Sequence, residues 1–138
     1  MTPVFISSIL LFVMEKIVRQ GKLFDYYGGL LTEHQQAIYT DAVFENMSLA
    51  ELAETYDISR QAAHDLIKRC DAKLKEYEEK LHLVEKIDSI SKMAIDITKT
   101  CEYLSTQMSR EPFDKTACME KLQSIKEKSE TIDTTLWE

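Results

Sequence analysis

The stretch SLAELAETYDISRQAAHDLIKR, residues 48–69, decides the fold of this chain. Ser48 and Ser59 each precede a run with helically spaced apolar residues, where a serine hydroxyl can cap the first free N–H groups of a helix. Glu51 follows Ser48 by three residues and completes a capping box. Asp57 stands between the two runs, and aspartate tolerates the left-handed backbone of a tight turn. The stretch therefore predicts a short helix, a turn and a second helix.

The apolar residues of this stretch predict which faces of the two helices are buried. Residues three or four positions apart share one face of a helix. The predicted inward residues are Leu49, Leu52, Ala53, Ile58, Ala63, Leu66 and Ile67. Because Ala53 is small, the second helix can cross the first one closely there. This pattern is typical of a helix-turn-helix, whose second helix reads nucleic acid.

The outward residues of the second helix carry the chemistry of nucleic-acid recognition. A recognition helix places its N-terminal outward side chains at base edges. Arg60 and Gln61 suit this position, because arginine pairs with guanine and glutamine with adenine. Lys68, Arg69 and Lys73 lie further along the helix and suit phosphates. The predicted nucleic-acid-binding set is Ser59, Arg60, Gln61, His64, Asp65, Lys68, Arg69 and Lys73.

The charge of the chain is unevenly distributed. The formal net charge is −7, which argues against a sequence-blind nucleic-acid binder, whose affinity comes from neutralising phosphates. Residues 59–75 nevertheless hold five basic and two acidic residues, a local net charge of +3. The basic window coincides with the predicted recognition helix, so the charge pattern favours binding of nucleic acid through that helix.

The flanking sequence predicts more helices and no sheet. The chain has only 3 Gly and 2 Pro, and so few breakers favour long helices. Thr32 and Gln35 form another capping box, which starts a helix before residue 48. No residue stops the recognition helix between Ser59 and about His82, so that helix should be long. We therefore expect an all-α protein built on a helix-turn-helix bundle.

Residues 83–138 are predicted to form a C-terminal helical hairpin. Apolar residues recur every three or four positions from Ile90 to Met108. Pro112 ends this run, and Asp114 can cap a last helix. The apolar stripe can fold back on its own chain or pair with a second copy, so the segment is either a hairpin or a dimerisation arm.

The first thirteen residues, MTPVFISSILLFV, are mostly apolar. They lack the basic region and cleavage site of a signal peptide, and they are too short to span a bilayer. Our preferred interpretation is that Met14 is the natural start and that residues 1–13 are an upstream extension. The alternative is a first helix that packs on the core. The predicted organisation is an extension over 1–13, a helix-turn-helix domain over 14–82 and the hairpin or arm over 83–138.

The remaining patterns do not predict an enzyme, a metal site or a cofactor site. The three cysteines are far apart and lack CxxC spacing, so they predict free, buried thiols in a reducing cytosol. The three histidines are too widely spaced for a metal-binding helix face. The acidic run Glu76, Glu78 and Glu79 predicts a solvated helix face. We therefore expect a cytoplasmic, non-enzymatic protein with no cofactor and no membrane partner.

The run SLAELAETYDISRQA, residues 48–62, resembles region 4 of bacterial sigma factors. A wider match takes in LFDYYGGLLTEHQ at 23–35 and IKRCDAKLKEYEEKLHL at 67–83, and it is similar to the YlxM family of small bacterial helix-turn-helix proteins. The resemblance covers roughly residues 14–90. It is specific, because the YEEKLHL run at 77–83 is not part of a generic sigma motif.

Two positions depart from the commonest family pattern. Ala63 stands where a larger aliphatic residue is usual, and His64 where tyrosine is frequent. Both positions belong to the predicted recognition helix.

The resemblance implies a sigma region 4-like fold and a regulatory protein linked to the signal recognition particle pathway. Its partners would be the particle's GTPase, the particle's RNA or the DNA of its operon. The residues themselves leave two alternatives. One is a dimeric, sequence-specific DNA-binding transcription regulator. The other is a structural interaction protein whose former recognition helix has become a protein-binding surface.

Overall fold

The computed structural model describes residues 3–137 and the side chains of residues 8–137. Within that range all regular structure is helical, which confirms the all-α prediction. The elements are α1 (Pro3–Tyr27), a 3₁₀ turn (Gly28–Leu30), α2 (Glu33–Val43), α3 (Leu49–Tyr56), α4 (Arg60–Leu81), α5 (Leu83–Met108) and α6 (Lys115–Trp137). By its backbone contacts the chain divides into two compact units, Met1–Val84 and Glu85–Glu138.

The helix boundaries follow the predicted caps. The Thr32 hydroxyl accepts a hydrogen bond from the Gln35 N–H at 3.2 Å, and the Gln35 side chain accepts one from the Thr32 N–H at 3.2 Å. The Asp114 carboxylate accepts a bond from the Ala117 N–H at 3.0 Å at the start of α6. His82 ends α4 in a left-handed conformation, with φ of 51°. Local chemistry alone therefore positions these ends.

The larger core of the first unit joins α1, α2 and α4. Its buried residues are Leu23, Tyr27, Leu31, Tyr39, Cys70 and Leu74. Each large side chain in such a core contributes about 1.5–3 kcal/mol relative to an exposed position. Gly28 allows a close approach, because a Cβ there would lie 3.0 Å from the Phe24 ring. That ring stacks on Tyr39 with 5.4 Å between centroids, so the missing side chain helps α1 pack on α2.

A polar network links α1, the end of α4 and the start of α5. The Tyr27 hydroxyl donates to the Glu78 carboxylate. The same hydroxyl accepts a bond from the Leu83 N–H at 3.1 Å, and Glu78 accepts one from the Val84 N–H at 3.1 Å. Glu78 thus satisfies a free N–H at the first turn of α5. The prediction of a merely solvated face was wrong for Glu78, whose partner Tyr27 lies on another helix.

The second unit is an antiparallel pair formed by α5 and α6. The Lys128 ammonium lies 3.3 Å from Asp96, and the Lys121 ammonium lies 5.8 Å from the centre of the Tyr103 ring. The pair formed by residues 103 and 121 lies nearer the connection between the helices than the pair formed by residues 96 and 128, as in a helical hairpin. Only part of the predicted stripe is buried in it. Leu104 is buried, whereas Ala94, Cys101 and Met108 are exposed.

Helix α1 passes residue 14 without a break. The side chains of residues 8–19 are exposed, and α1 contributes to the core only from Leu23 onwards. Residues 1 and 2 of the predicted extension lie outside the described residues. The assignment of 1–13 as an extension stays a prediction. Among the helices described, none is sufficiently long and apolar to cross a membrane.

Tyr27→Phe tests the network between α1, α4 and α5. The change removes a hydroxyl that donates to Glu78 and accepts from the Leu83 N–H. We expect the free energy of unfolding in urea to fall by about 1–3 kcal/mol, because a buried bond to a charged group is lost. Tyr26→Phe is the matched control, since Tyr26 is 41% exposed on the same helix. Equal urea midpoints for the two variants would contradict this account.

Alkaline pH tests the bond between Tyr39 and Asp71. Burial and the hydrogen bond to Asp71 raise the pKa of Tyr39 in the folded chain. The unfolded chain releases this proton first, above about pH 10, so stability should fall as pH rises further. The contribution of Tyr39 is up to about 1.4 kcal/mol per pH unit. Urea unfolding at pH 9 and pH 11 should show a smaller loss for Tyr39→Phe than for the parent chain; equal losses would rule the coupling out.

Candidate nucleic-acid interface

The helix-turn-helix is held by a small core shared by α2, α3 and α4. Ile38, Leu52 and Ala63 are each 0% exposed at its centre. Ala63 is therefore the small, fully buried residue that α4 contributes to this core. Ala53, predicted to lie inside where the two helices cross, is only half-buried, and Leu49, also predicted to lie inside, is 37% exposed.

The turn between α3 and α4 uses a left-handed residue, as predicted. Asp57 has φ of 52° and ψ of 48°. The Ile58 N–H donates to the carbonyl of Ala53 at 3.1 Å, which satisfies one of the free carbonyls at the end of α3. The Tyr56 hydroxyl donates to Asp41 on α2 at 2.6 Å. Hydrogen bonds thus connect the turn to α3 and, through Tyr56, to α2.

The start of α3 shows the complete capping box. The Ser48 hydroxyl accepts a bond from the Glu51 N–H at 3.2 Å, and the Glu51 carboxylate accepts one from the Ser48 N–H at 2.7 Å. These bonds hold the pKa of Glu51 below its usual value. The capping box therefore fixes the N-terminal end of α3, which follows the connection from α2.

The predicted site residues near the N-terminus of α4 have different structural roles. The Ser59 hydroxyl accepts a bond from the Ala62 N–H at 3.0 Å, so Ser59 serves the helix cap. The Gln61 amide donates to Asp65 at 2.9 Å, and Nδ1 of His64 lies 3.5 Å from the same carboxylate. Asp65 therefore holds Gln61, lies beside His64 and adds a negative charge among the cations.

The predicted basic residues of α4 are all exposed. Arg60, Lys68, Arg69 and Lys73 form no hydrogen bond or ion pair with any other residue that the structure describes. The side chain of His64 is 42% exposed. The structure thus brings the predicted residues together on the solvent side of one helix, with four cations available to a ligand.

Apart from Arg60 and Lys80 near its ends, the basic residues of α4 lie on two flanks of its outer face. His64, Lys68 and Lys75 form one row, because they are four and seven residues apart. Arg69 and Lys73 lie about 100–140° further around the helix axis than Lys68. The polar pair formed by residues 61 and 65 lies between the two flanks. The two polar side chains that could contact bases are therefore bordered by basic residues on both sides.

A cleft between α1 and α4 extends the row that contains Lys75. Its volume is about 330 Å³, and its lining residues are Lys16, Arg19, Gln20, Leu23, Asp71 and Lys75. Lys16, Arg19 and Lys75 lie outside the site predicted from the sequence. The available signal was weak: Lys16, Arg19 and Lys22 are spaced by three residues on α1, but only the fold places them beside α4.

The cysteines and acidic residues do not add a second kind of site. In the part of the chain that the structure describes, no three His, Cys, Asp or Glu side chains come together as a metal site. All three cysteines are free, but Cys101 is exposed, so the expectation of buried thiols holds only for Cys70 and Cys118. Burial raises the pKa of the Cys70 thiol, which disfavours the reactive thiolate.

Comparison with known proteins agrees with this geometry. The model of the family UPF0122, described as "Putative helix-turn-helix protein, YlxM / p13 like", matches residues 14–112. The match therefore continues beyond residue 90, where the resemblance was expected to end.

Several bacterial relatives are similar over a large part of the chain. A UPF0122 protein of Halalkalibacterium halodurans is 37% identical over 121 residues, which cover 88% of this chain and 100% of the relative. One of Shouchella clausii is 40% identical over 87 residues, covering 63% and 80%. One of Bacillus cereus strain AH187 is 47% identical over 74 residues, covering 54% and 67%.

Substitution of Ser59 tests the construction of the interface. Ser59→Ala removes the hydroxyl that caps α4. We expect a loss of about 1 kcal/mol in the free energy of unfolding, measured in urea. Ser59→Asp is the matched control, because its carboxylate can accept the same bond and should retain the parent stability. The cap has no such role if both variants unfold like the parent chain.

Proposed function

This chain belongs to the YlxM/p13-like UPF0122 family of helix-turn-helix proteins, and from that premise we propose that it is a regulatory protein that binds nucleic acid through the outer face of α4. The observation that carries the proposal is the set of four exposed cations, Arg60, Lys68, Arg69 and Lys73, without hydrogen bonds or ion pairs to described residues. They stand on the second helix of the motif, in a chain whose net charge is −7.

The proposed roles follow from position along α4. Arg60 and Gln61 stand in the first turn, where a recognition helix meets base edges. Asp65 holds the Gln61 amide at 2.9 Å, which limits the rotamers of Gln61 before a base is bound. Lys68, Arg69 and Lys73 neutralise phosphates and set the position of the helix on the backbone. His64 contributes a ring with two nitrogens, one of which lies 3.5 Å from Asp65.

The acidic remainder of the chain shapes the expected specificity. Few phosphate contacts give weak non-specific binding, and the acidic surface repels nucleic acid elsewhere. Affinity must therefore come from a short site that fits the exposed face of α4. A regulator of one or a few targets fits this balance better than a general nucleic-acid coat protein.

The resemblance to the YlxM family supplies the setting of the proposal. The regulated process is the signal recognition particle pathway, and the candidate nucleic acids are the particle's RNA and the DNA of its operon. The particle's GTPase is the candidate protein partner. The second candidate function is a dimeric transcription regulator. Single DNA-binding modules of this size often dimerise in order to bind tightly.

Binding to the particle's RNA and to its operon DNA tests this proposal. Fluorescence anisotropy over a range of salt concentrations should give salt-sensitive binding to one of them. Arg60→Ala should cost about 1–3 kcal/mol on the preferred sequence and little on a scrambled one, because it removes a base contact. Lys73→Ala should weaken both sequences alike and lower the salt slope by about 1.

Lys92→Ala is the matched control, since Lys92 is an exposed lysine on α5 and its loss changes the net charge equally. It should leave the salt slope at the parent value. Absence of salt-sensitive binding to either nucleic acid would overturn the proposal. Binding that requires two chains per site would favour the dimeric transcription regulator instead.

A further inference from the structure

We propose that the cleft between α1 and α4 is a phosphate subsite that contacts one strand of a duplex while Arg69 and Lys73 contact the other. This inference rests on the proposed function and adds a second element, α1, to the interface. The ligand is a backbone phosphate of a double-stranded nucleic acid.

The size and lining of the cleft fit a single phosphate group with part of its sugar. Its volume of about 330 Å³ is at the small end of ligand sites. Lys16, Arg19 and Lys75 line it from two helices. The three side chains belong to exposed residues and form no hydrogen bond or ion pair with the rest of the described chain. An arginine between two lysines offers a forked donor together with two mobile ammonium groups, which suits phosphate oxygens.

The carboxylate in the cleft is already engaged by the protein. Asp71 accepts a bond from the Tyr39 hydroxyl at 2.6 Å. It also accepts bonds from the Gln20 amide at 2.9 and 3.1 Å. These bonds connect the α1 and α4 walls to α2, so the cleft is held open before any ligand arrives. One carboxylate against three cations leaves a net positive charge.

The position of the cleft on α4 indicates which strand it meets. Lys75 lies two turns beyond Lys68 in the same row, on the flank that faces α1. Arg69 and Lys73 lie on the opposite flank, about 120–160° around the axis from Lys75. When a helix enters a major groove, its two flanks face the two phosphate backbones that border the groove. The residues at 61 and 65 then face the bases between them.

The two-flank arrangement also distinguishes kinds of nucleic acid. B-form DNA has a major groove about 12 Å wide, which admits a helix. The major groove of A-form RNA is too narrow unless a bulge or loop widens it. A single strand presents only one phosphate backbone, so it can contact the basic residues of only one flank. Duplex DNA and an RNA helix with a widened groove are therefore the two sources of the phosphate that the test compares.

The first test is the salt dependence of binding of the full chain to a DNA duplex, an RNA hairpin with an internal bulge, and a single strand. The variant Arg19→Gln/Lys75→Gln should lower the salt slope on the preferred duplex by about 2, because two cations no longer displace counterions. It should weaken preferred and scrambled duplexes by the same factor. The control Lys92→Gln/Lys99→Gln removes two exposed lysines from α5 and should keep the parent slope.

The second test uses duplexes in which one phosphate at a time is replaced by an uncharged methylphosphonate. The parent chain should lose affinity at positions on both strands. Arg19→Gln/Lys75→Gln should become insensitive at positions on one strand, and Arg69→Gln/Lys73→Gln at positions on the other. Since all four side chains are exposed, these changes leave the cores intact, and equal urea midpoints verify this.

The outcomes separate the two proposals. The cleft proposal is overturned if the parent chain binds and the cleft variant keeps the control's slope, or if both variants map to one strand. In those cases the proposed function stands. If the parent chain binds none of the three nucleic acids in a salt-sensitive way, the proposed function itself fails and the cleft proposal fails with it.

Discussion

The burial of one face of α4 is the constraint on which the rest of the structure depends. Ala63 is buried in the core shared with α2 and α3, and Cys70 and Leu74 are buried in the core shared with α1 and α2. Both cores therefore fix the rotation of the same helix. A rotation by one residue, about 100°, would turn one flank of cations toward the cores and move part of the buried apolar face into solvent. The positively charged face of α4 is in solvent because the opposite face is buried in both cores.

Three tyrosine–carboxylate bonds reinforce this arrangement. Tyr27 donates to Glu78, Tyr39 to Asp71 and Tyr56 to Asp41, and each bond joins two different helices. In each case the hydroxyl of an aromatic ring that packs in or beside a core reaches a carboxylate near the surface. Such bonds add direction to the hydrophobic packing, which has none of its own. Burial and these bonds raise the pKa of Tyr27 and Tyr39, and the bond to Asp41 raises the pKa of Tyr56, so these links between helices depend on protonated phenols.

The parts of the fold that sequence could predict are those set by neighbours along the chain. The caps at Thr32, Ser48 and Ser59 involve partners three residues away, and all three are present. The left-handed Asp57 depends on its own backbone. Burial was predicted less well, because it depends on which helix passes nearby. Leu49 and Cys101 have the spacing of buried residues, yet both are exposed.

The parts that sequence could not predict involve contacts between distant residues. Glu78 looked like a solvated residue because its partner Tyr27 lies 51 residues away. The α1–α4 cleft has the same origin, since Gln20 and Asp71 are also 51 residues apart. The predicted cations of α4 are exposed, because a helical repeat reveals which residues face outward; their role in binding stays a prediction. The predicted site omitted Lys16 and Arg19, because only the packing of α1 on α4 places them beside Lys75.

The solvent face of α4, held in place by the two cores, is the surface proposed to bind nucleic acid. Chemical-shift perturbation of backbone amides measures this directly, in a titration of the isotope-labelled full chain with a duplex of the preferred sequence. We expect the shifted amides to cluster on α4 from Ser59 to Lys75, together with residues 16–20 of α1. Shifts confined to Glu85–Glu138, or no shift at a duplex concentration that saturates binding, would contradict it.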